Sequence, residues 1–96
     1  MIVCGEKKRP GGKLVKVCLN VEDGIVKGVL ITGDFFVDPG EEFEKIIERL
    51  ERIEVPIEYI EEEIRNAFME LNDRIFGIGI EEIIEATRKA LNELNK

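Results

Sequence analysis

The sequence predicts an α+β fold: an antiparallel sheet of two or three strands with three helices packed mainly on one face. Two observations carry this. Asp23-Gly24 stands at the centre of a two-residue turn between alternating apolar segments, the strongest short hairpin signal. Downstream, three stretches repeat apolar residues at the three-four spacing of helices that bury one stripe. Ninety-six residues suit one domain, spanning 1–96, with a single core.

In chain order, a first strand covers residues 2–6 and runs antiparallel to a second over 14–21, joined through the basic turn Lys8-Arg9-Pro10-Gly11-Gly12-Lys13. A third strand follows the Asp23-Gly24 turn and runs to Thr32. A two-residue turn sets an uninterrupted register: Val21 opposite Val26, Leu19 opposite Gly28, Val17 opposite Leu30 and Val15 opposite Thr32, all facing the core. The opposite face then holds Leu14, Cys18, Val29 and Ile31 among Lys16, Asn20 and Lys27. That is less polar than a sheet face left to water, so the N-terminal strand or a helix is expected to cover it, the alternative being a partner protein.

The third strand ends in Gly33-Asp34-Phe35-Phe36, the point at which the chain turns into its helical half. Asp38 is placed to cap the first helix, with Pro39 at its first position and Glu41 three residues after the cap. Its stripe is Phe43, Ile46, Ile47, Leu50 and Ile53, and Phe36 and Phe43 are expected to bracket the junction. Pro56 opens a second helix with Ile57, Ile60, Ile64, Phe68 and Leu71 inward. Residues 72–79 read as a loop packed on the core by Ile75, Phe76 and Ile78, with Gly79 capping a third helix from about residue 81. That helix turns Ile83, Ile84, Thr87, Leu91 and Leu94 inward.

Composition excludes several chemistries. The chain has no His, Ser, Gln or Trp, so a Ser/His/Asp triad, a Cys/His pair and an imidazole metal site lack their side chains. Residues 1–16 hold Lys7, Lys8, Arg9, Lys13 and Lys16 against Glu6, within a chain of net charge −7. An acidic body with a short basic segment free of aromatic residues disfavours nucleic-acid binding. A charged fraction of 36%, rich in Glu, Lys and Ile, suits a heat-adapted source. No apolar run reaches membrane-spanning length and the N-terminus is no signal peptide, so a cytoplasmic protein is expected.

Cys4 and Cys18 are two few for a four-ligand zinc site. If the first two strands pair they come near each other, either joined by a cross-strand disulfide or kept as two packed thiols. The clusters Glu61-Glu62-Glu63 and Glu81-Glu82-Glu85 lack calcium-loop spacing and read as solvated helix faces. Gly77-Ile78-Gly79 lacks the third glycine of a dinucleotide fingerprint, and Pro10-Gly11-Gly12-Lys13-Leu14 lacks the Ser or Thr of a P-loop. The basic turn nevertheless offers backbone amides and cations to an anion held by another protein, or is a solvated turn.

Taken in order, Lys8-Arg9-Pro10-Gly11-Gly12-Lys13-Leu14, the Asp23-Gly24 hairpin, Gly33-Asp34-Phe35-Phe36 followed by Pro39, and the late Gly77-Ile78 resemble the C-terminal accessory domain of lipoate-protein ligases. The resemblance runs along nearly the whole chain. It implies a small domain that assists a large catalytic domain, shifts position during transfer, and in split ligases is a separate chain. The sequence begins at the small domain, so the expectation is an accessory subunit, not catalytic alone, with ATP/Mg and lipoate held by a catalytic partner. That partner forms lipoyl-adenylate before transfer to a lysine of a lipoyl-carrier domain, itself a transient partner. Lys13 and Asp34 are the residues expected to matter most, with Lys8, Gly11, Gly12 and Gly33 shaping their loops; no metal site is expected.

Two rival readings follow from the same features. The strand pattern is also similar to the iron-sulfur scaffold type fold, suggesting a cluster-assembly or sulfur-transfer scaffold. Such scaffolds place a cysteine after the strand-end glycine, where this chain has Asp34, and further cysteines later, where it has none. The other rival is a purely structural interaction module.

Overall fold

The hairpin is built as its turn residues dictate: Asp23 at φ 52° and Gly24 at φ 75° give the left-handed pair whose twist matches the strands on either side. The computed structural model describes residues 1–11, 13–38 and 40–96, with Phe36 and Asn72 described by backbone alone. Its elements run β1 (Ile2–Lys8), β2 (Leu14–Glu22), β3 (Ile25–Gly33), β4 (Phe36–Val37), α1 (Gly40–Glu51), β5 (Val55–Pro56), α2 (Ile60–Met69), β6 (Ile75–Phe76) and α3 (Ile80–Asn92). The main sheet is antiparallel in the order β1-β2-β3-β5, and β4 pairs with β6 in a separate two-stranded ladder. The three long strands are those read from the sequence, while the two-residue strand β5 adds an edge.

The register departs from the expected one, and a bulge is the reason. Val21 faces Val26 as the turn demands, but the ladder resumes with Leu19 opposite Val29, Val17 opposite Ile31 and Val15 opposite Gly33. The extra residue of β3 is absorbed around Gly28, at φ 128°, a backbone conformation that glycine takes freely. One inserted residue reverses the faces of the strand beyond it. Val29 and Ile31 are therefore buried and Leu30 and Thr32 exposed, the reverse of the uninterrupted ladder. Gly28 also admits the end of α1, since a Cβ there would stand 3.0 Å from the Glu51 carbonyl oxygen.

The core lies between one sheet face and the helices. Val3, Val15, Val17, Leu19, Val29 and Ile31 supply the sheet side; Leu50, Ile60, Ile64, Phe68, Ile83 and Ile84 supply the helical side. The α3 helix lies across β1 and β2. Its closest approach is at Gly5, where a Cβ would meet the Ala86 carbonyl oxygen at 2.2 Å and the Ala90 nitrogen at 2.4 Å. No helix of the described residues is long and apolar enough to cross a membrane.

Other expectations need adjusting. Phe76 is exposed rather than packed inward, because residues 75–76 are drawn into the β4–β6 ladder while Ile78 fills the core. The α1 helix spans Gly40–Glu51, shorter than its apolar stripe; the expected first-position proline, Pro39, lies outside the described residues. The second helical segment starts after Pro56 with a short turn at Ile57–Tyr59. Gly79 caps α3 as expected, its amide donating to Glu82 Oε1 at 3.3 Å.

Cys4 faces Cys18 across β1 and β2, and the two are joined in a disulfide. They lie on the sheet face turned away from the helices, with Ile2 and Leu30. The N-terminal strand extends the sheet instead of covering that face, and the helices occupy the other one. Of the half-apolar face expected to be covered, Val29 and Ile31 have turned into the core beneath the helices, while Leu14 and Cys18 stay on the opposite face with Leu30 in their place.

Candidate functional site

Strand pairing brings three separated segments to one end of the fold. Lys8 faces Leu14, and the turn between them is closed by the Arg9 amide donating to the Lys13 carbonyl at 2.6 Å. Val15 faces Gly33, and the Asp34 amide donates to the Leu14 carbonyl at 2.8 Å. The β4–β6 ladder carries the third segment in, so that a Cβ at Gly77 would stand 3.0 Å from the Asp34 carbonyl oxygen. The Lys8–Leu14 turn, the Gly33-Asp34 strand end and Gly77 therefore lie together, with Ile78 beyond them in the core.

The side chains divide into anchored and unengaged groups. Arg9 Nε lies 2.9 Å from Glu82 Oε1, and Lys7 Nζ lies 2.9 Å from Glu85 Oε2. Lys8, Lys13 and Asp34 are exposed and make no ion pair among the described residues. Gly11, at the tip of the turn, is exposed, and Gly12 lies outside the described residues. At Gly33 a Cβ would meet the Leu14 carbonyl oxygen at 2.3 Å, so the close approach of β3 to the start of β2 requires glycine.

Glu82 and Glu85 were legible only as a solvated face. In the fold, Glu82 Oε1 accepts both from the Gly79 amide that opens α3 and from Arg9 of the basic turn, fastening one to the other. The spacing of Glu82 three residues after Gly79 signals the first contact. Nothing in the local sequence signals the second, which joins opposite ends of the chain.

Glu81 of the same cluster and Glu61 of the other are also engaged. Arg65 pairs with Glu81 and Arg88 with Glu61, linking α2 to α3 across the surface. The hydrogen bond from Arg65 holds the Glu81 carboxyl below its ordinary value and raises Arg65 in turn; Glu61 does the same for Arg88. Both cysteines are bound in the disulfide, so neither offers a thiolate to a metal or cluster. Among the described residues, no group of three or more Cys, Asp or Glu is placed to hold a metal ion.

Chemically, the motif end offers, among the described residues, two unengaged ammonium groups, one unengaged carboxylate and a turn tied to α3 through Arg9. It can present positive charge to an anion bound elsewhere, and an open depression lined by Arg9, Gly79 and Glu82 lies behind the turn.

A family described as the bacterial lipoate protein ligase C-terminus matches residues 5–86. The fold is similar to a chain in the solved structure of a bi-partite lipoate protein ligase and its lipoyl domain, an archaeal lipoylation system from Thermoplasma acidophilum. That similarity has a TM-score of 0.67 and 27% sequence identity, covering 92% of this chain and 96% of that one. No curated protein matches.

Proposed function

Because the chain belongs to the lipoate protein ligase C-terminal family, we propose that it is the accessory subunit of a heteromeric, two-chain lipoate-protein ligase. In this reading residues 1–96 act as one domain in the cytoplasm. A separate catalytic subunit binds ATP, magnesium and lipoate and forms lipoyl-adenylate. This chain assists that step, and the acyl group then passes to a lysine of a lipoyl-carrier domain.

The observation that carries the reading is the convergence of the Lys8–Leu14 turn, Gly33-Asp34 and Gly77 at one end of the fold, with Lys8 and Lys13 unengaged among the described residues. Joining a carboxylate to ATP requires cations against the phosphates and exclusion of water from the mixed anhydride. Lys13 and Lys8 supply the cations when the domain closes over the partner's site. The Glu82 and Glu85 anchors hold the turn in place for this. Gly11, Gly12 and Gly33 shape the loops, and Asp34 meets the partner. The composition of the chain suits a heat-adapted source.

The test is adenylate formation by the reconstituted pair with Lys8→Ala and Lys13→Ala combined. The reading expects a loss of at least tenfold with the complex intact. An unchanged rate would remove the role given to the basic turn.

A further inference from the structure

We infer that the sheet face turned away from the helices is the docking surface for the catalytic subunit, and that it receives a protein surface apolar at one end and lined with carboxylates at the other. The inference rests on the accessory-subunit reading and adds where the partner sits.

The pairing of β1, β2 and β3 fixes which side chains share this face. Successive rows are Lys8 with Leu14; Glu6 with Lys16 and Thr32; Cys4 with Cys18 and Leu30; and Ile2 with Asn20. The face is therefore graded. Ile2, 70% exposed, and Leu30, 48% exposed, flank the disulfide at one end and line an open apolar depression beside the Gly28 bulge. Lys8 and Lys16 stand toward the other end, with Lys13 just beyond in the turn. Large apolar side chains exposed together on an ordered sheet mark an interaction site when they form a patch rather than a scatter.

Charge selects the occupant. The helical layer is rich in glutamate, whereas the rows of the open face carry two lysines against the single carboxylate of Glu6, and neither Lys16 nor Glu6 is ion-paired among the described residues; at the rims, Lys27 stands with Glu51 beside the apolar depression and Glu93 is paired with Lys96. A second copy of this face would bring lysines toward lysines or toward the apolar rows, where Glu51 stands beside Lys27 and leaves no net negative charge to answer them. A different protein with carboxylates opposite Lys8 and Lys16 satisfies both ends. The lysine end is continuous with the surface holding Lys13 and Asp34, so docking here brings the basic turn beside the partner's site.

The experiment measures binding of the intact chain to the catalytic subunit by calorimetry, with sedimentation recording self-association. The variants are Leu30→Glu, Ile2→Glu and Lys16→Glu, with Tyr59→Glu, exposed in the helical layer, as the control. All four positions are exposed, and melting temperatures check that each variant folds. We expect Leu30→Glu and Ile2→Glu to weaken binding at least tenfold, Lys16→Glu to weaken it several-fold and reduce its salt dependence, and Tyr59→Glu to leave it unchanged. Full binding by folded Leu30→Glu and Ile2→Glu overturns the docking face while leaving the accessory-subunit reading standing. Self-association abolished by Leu30→Glu, with binding of the catalytic chain intact, overturns it in favour of a second copy. No binding by the unmodified chain removes both readings.

Discussion

The backbone amide of Asp34 donates to the carbonyl of Leu14 at 2.8 Å, tying the residue that ends one strand to the residue that opens another. The bond exists because Gly33 lets the chains approach so closely: a Cβ there would stand 2.3 Å from the Leu14 oxygen and 3.0 Å from Val15 Cα. Gly33→Ala must push the two segments apart. It is expected to cost about 1–3 kcal/mol, as overpacking does, and to lower adenylate formation by the reconstituted pair. Urea midpoints measure the first effect. A midpoint equal to that of the unmodified chain would show that the joint yields freely.

Phe43 links this junction to the core. Its ring meets Phe35 edge-on at 5.7 Å and Phe68 at 6.3 Å, and Phe68 is fully buried. Phe43→Ala removes the middle of this aromatic chain and is expected to cost about 3 kcal/mol, the low end for a core phenylalanine because Phe43 is half-buried. A denaturation curve that coincides with that of the unmodified chain would contradict the placement.

The disulfide between Cys4 and Cys18 closes a loop with a sequence separation of 14. Constraining the unfolded chain over such a loop is worth about 3 kcal/mol. Replacing both cysteines with serine should therefore lower the unfolding free energy, read from denaturant titration, by about 3 kcal/mol while leaving the strand pairing in place. Equal stability with and without the bridge would mean that hydrogen bonding and the α3 contacts alone hold β1.

Acid should loosen the α2–α3 surface. The Glu81 carboxyl is held low by the Arg65 hydrogen bond, so its contribution is full above the ordinary carboxylate range and lost as pH falls through its lowered value. Arg65 is shifted upward from an already alkaline value, so its contribution persists at every working pH. The pair lies at the surface, Arg65 half-buried and Glu81 exposed, which keeps the effect small and salt-sensitive. Melting temperatures of the unmodified chain and Glu81→Gln, compared from about pH 7 to about pH 3, should converge at the acid end. A constant difference would assign the effect to something other than this ion pair.

What the sequence displays locally, the fold keeps. Asp23-Gly24 makes its hairpin, Gly79 opens α3, and the stripes of α1, α2 and α3 face the core. The missed features depend on tertiary context. Lys27-Gly28-Val29 fits a regular strand as well as a bulged one, and only packing against the end of α1 favours the bulge, with the inversion of Leu30 and Ile31 that follows. The two-residue strands β4, β5 and β6 exist through partners far along the chain and carry no period of their own. At the motif end, the order of the short motifs is enough to identify the segments. Their convergence, and the fastening of Arg9 and Lys7 by Glu82 and Glu85, emerge only once β1 and α3 are packed together.

The measurement that bears most directly on the account is lipoyl-adenylate formation from lipoate and ATP by the catalytic subunit, with and without this chain. The account predicts adenylate in the mixture and little or none from either chain alone. The same yield with and without this chain, both proteins being folded, would contradict it.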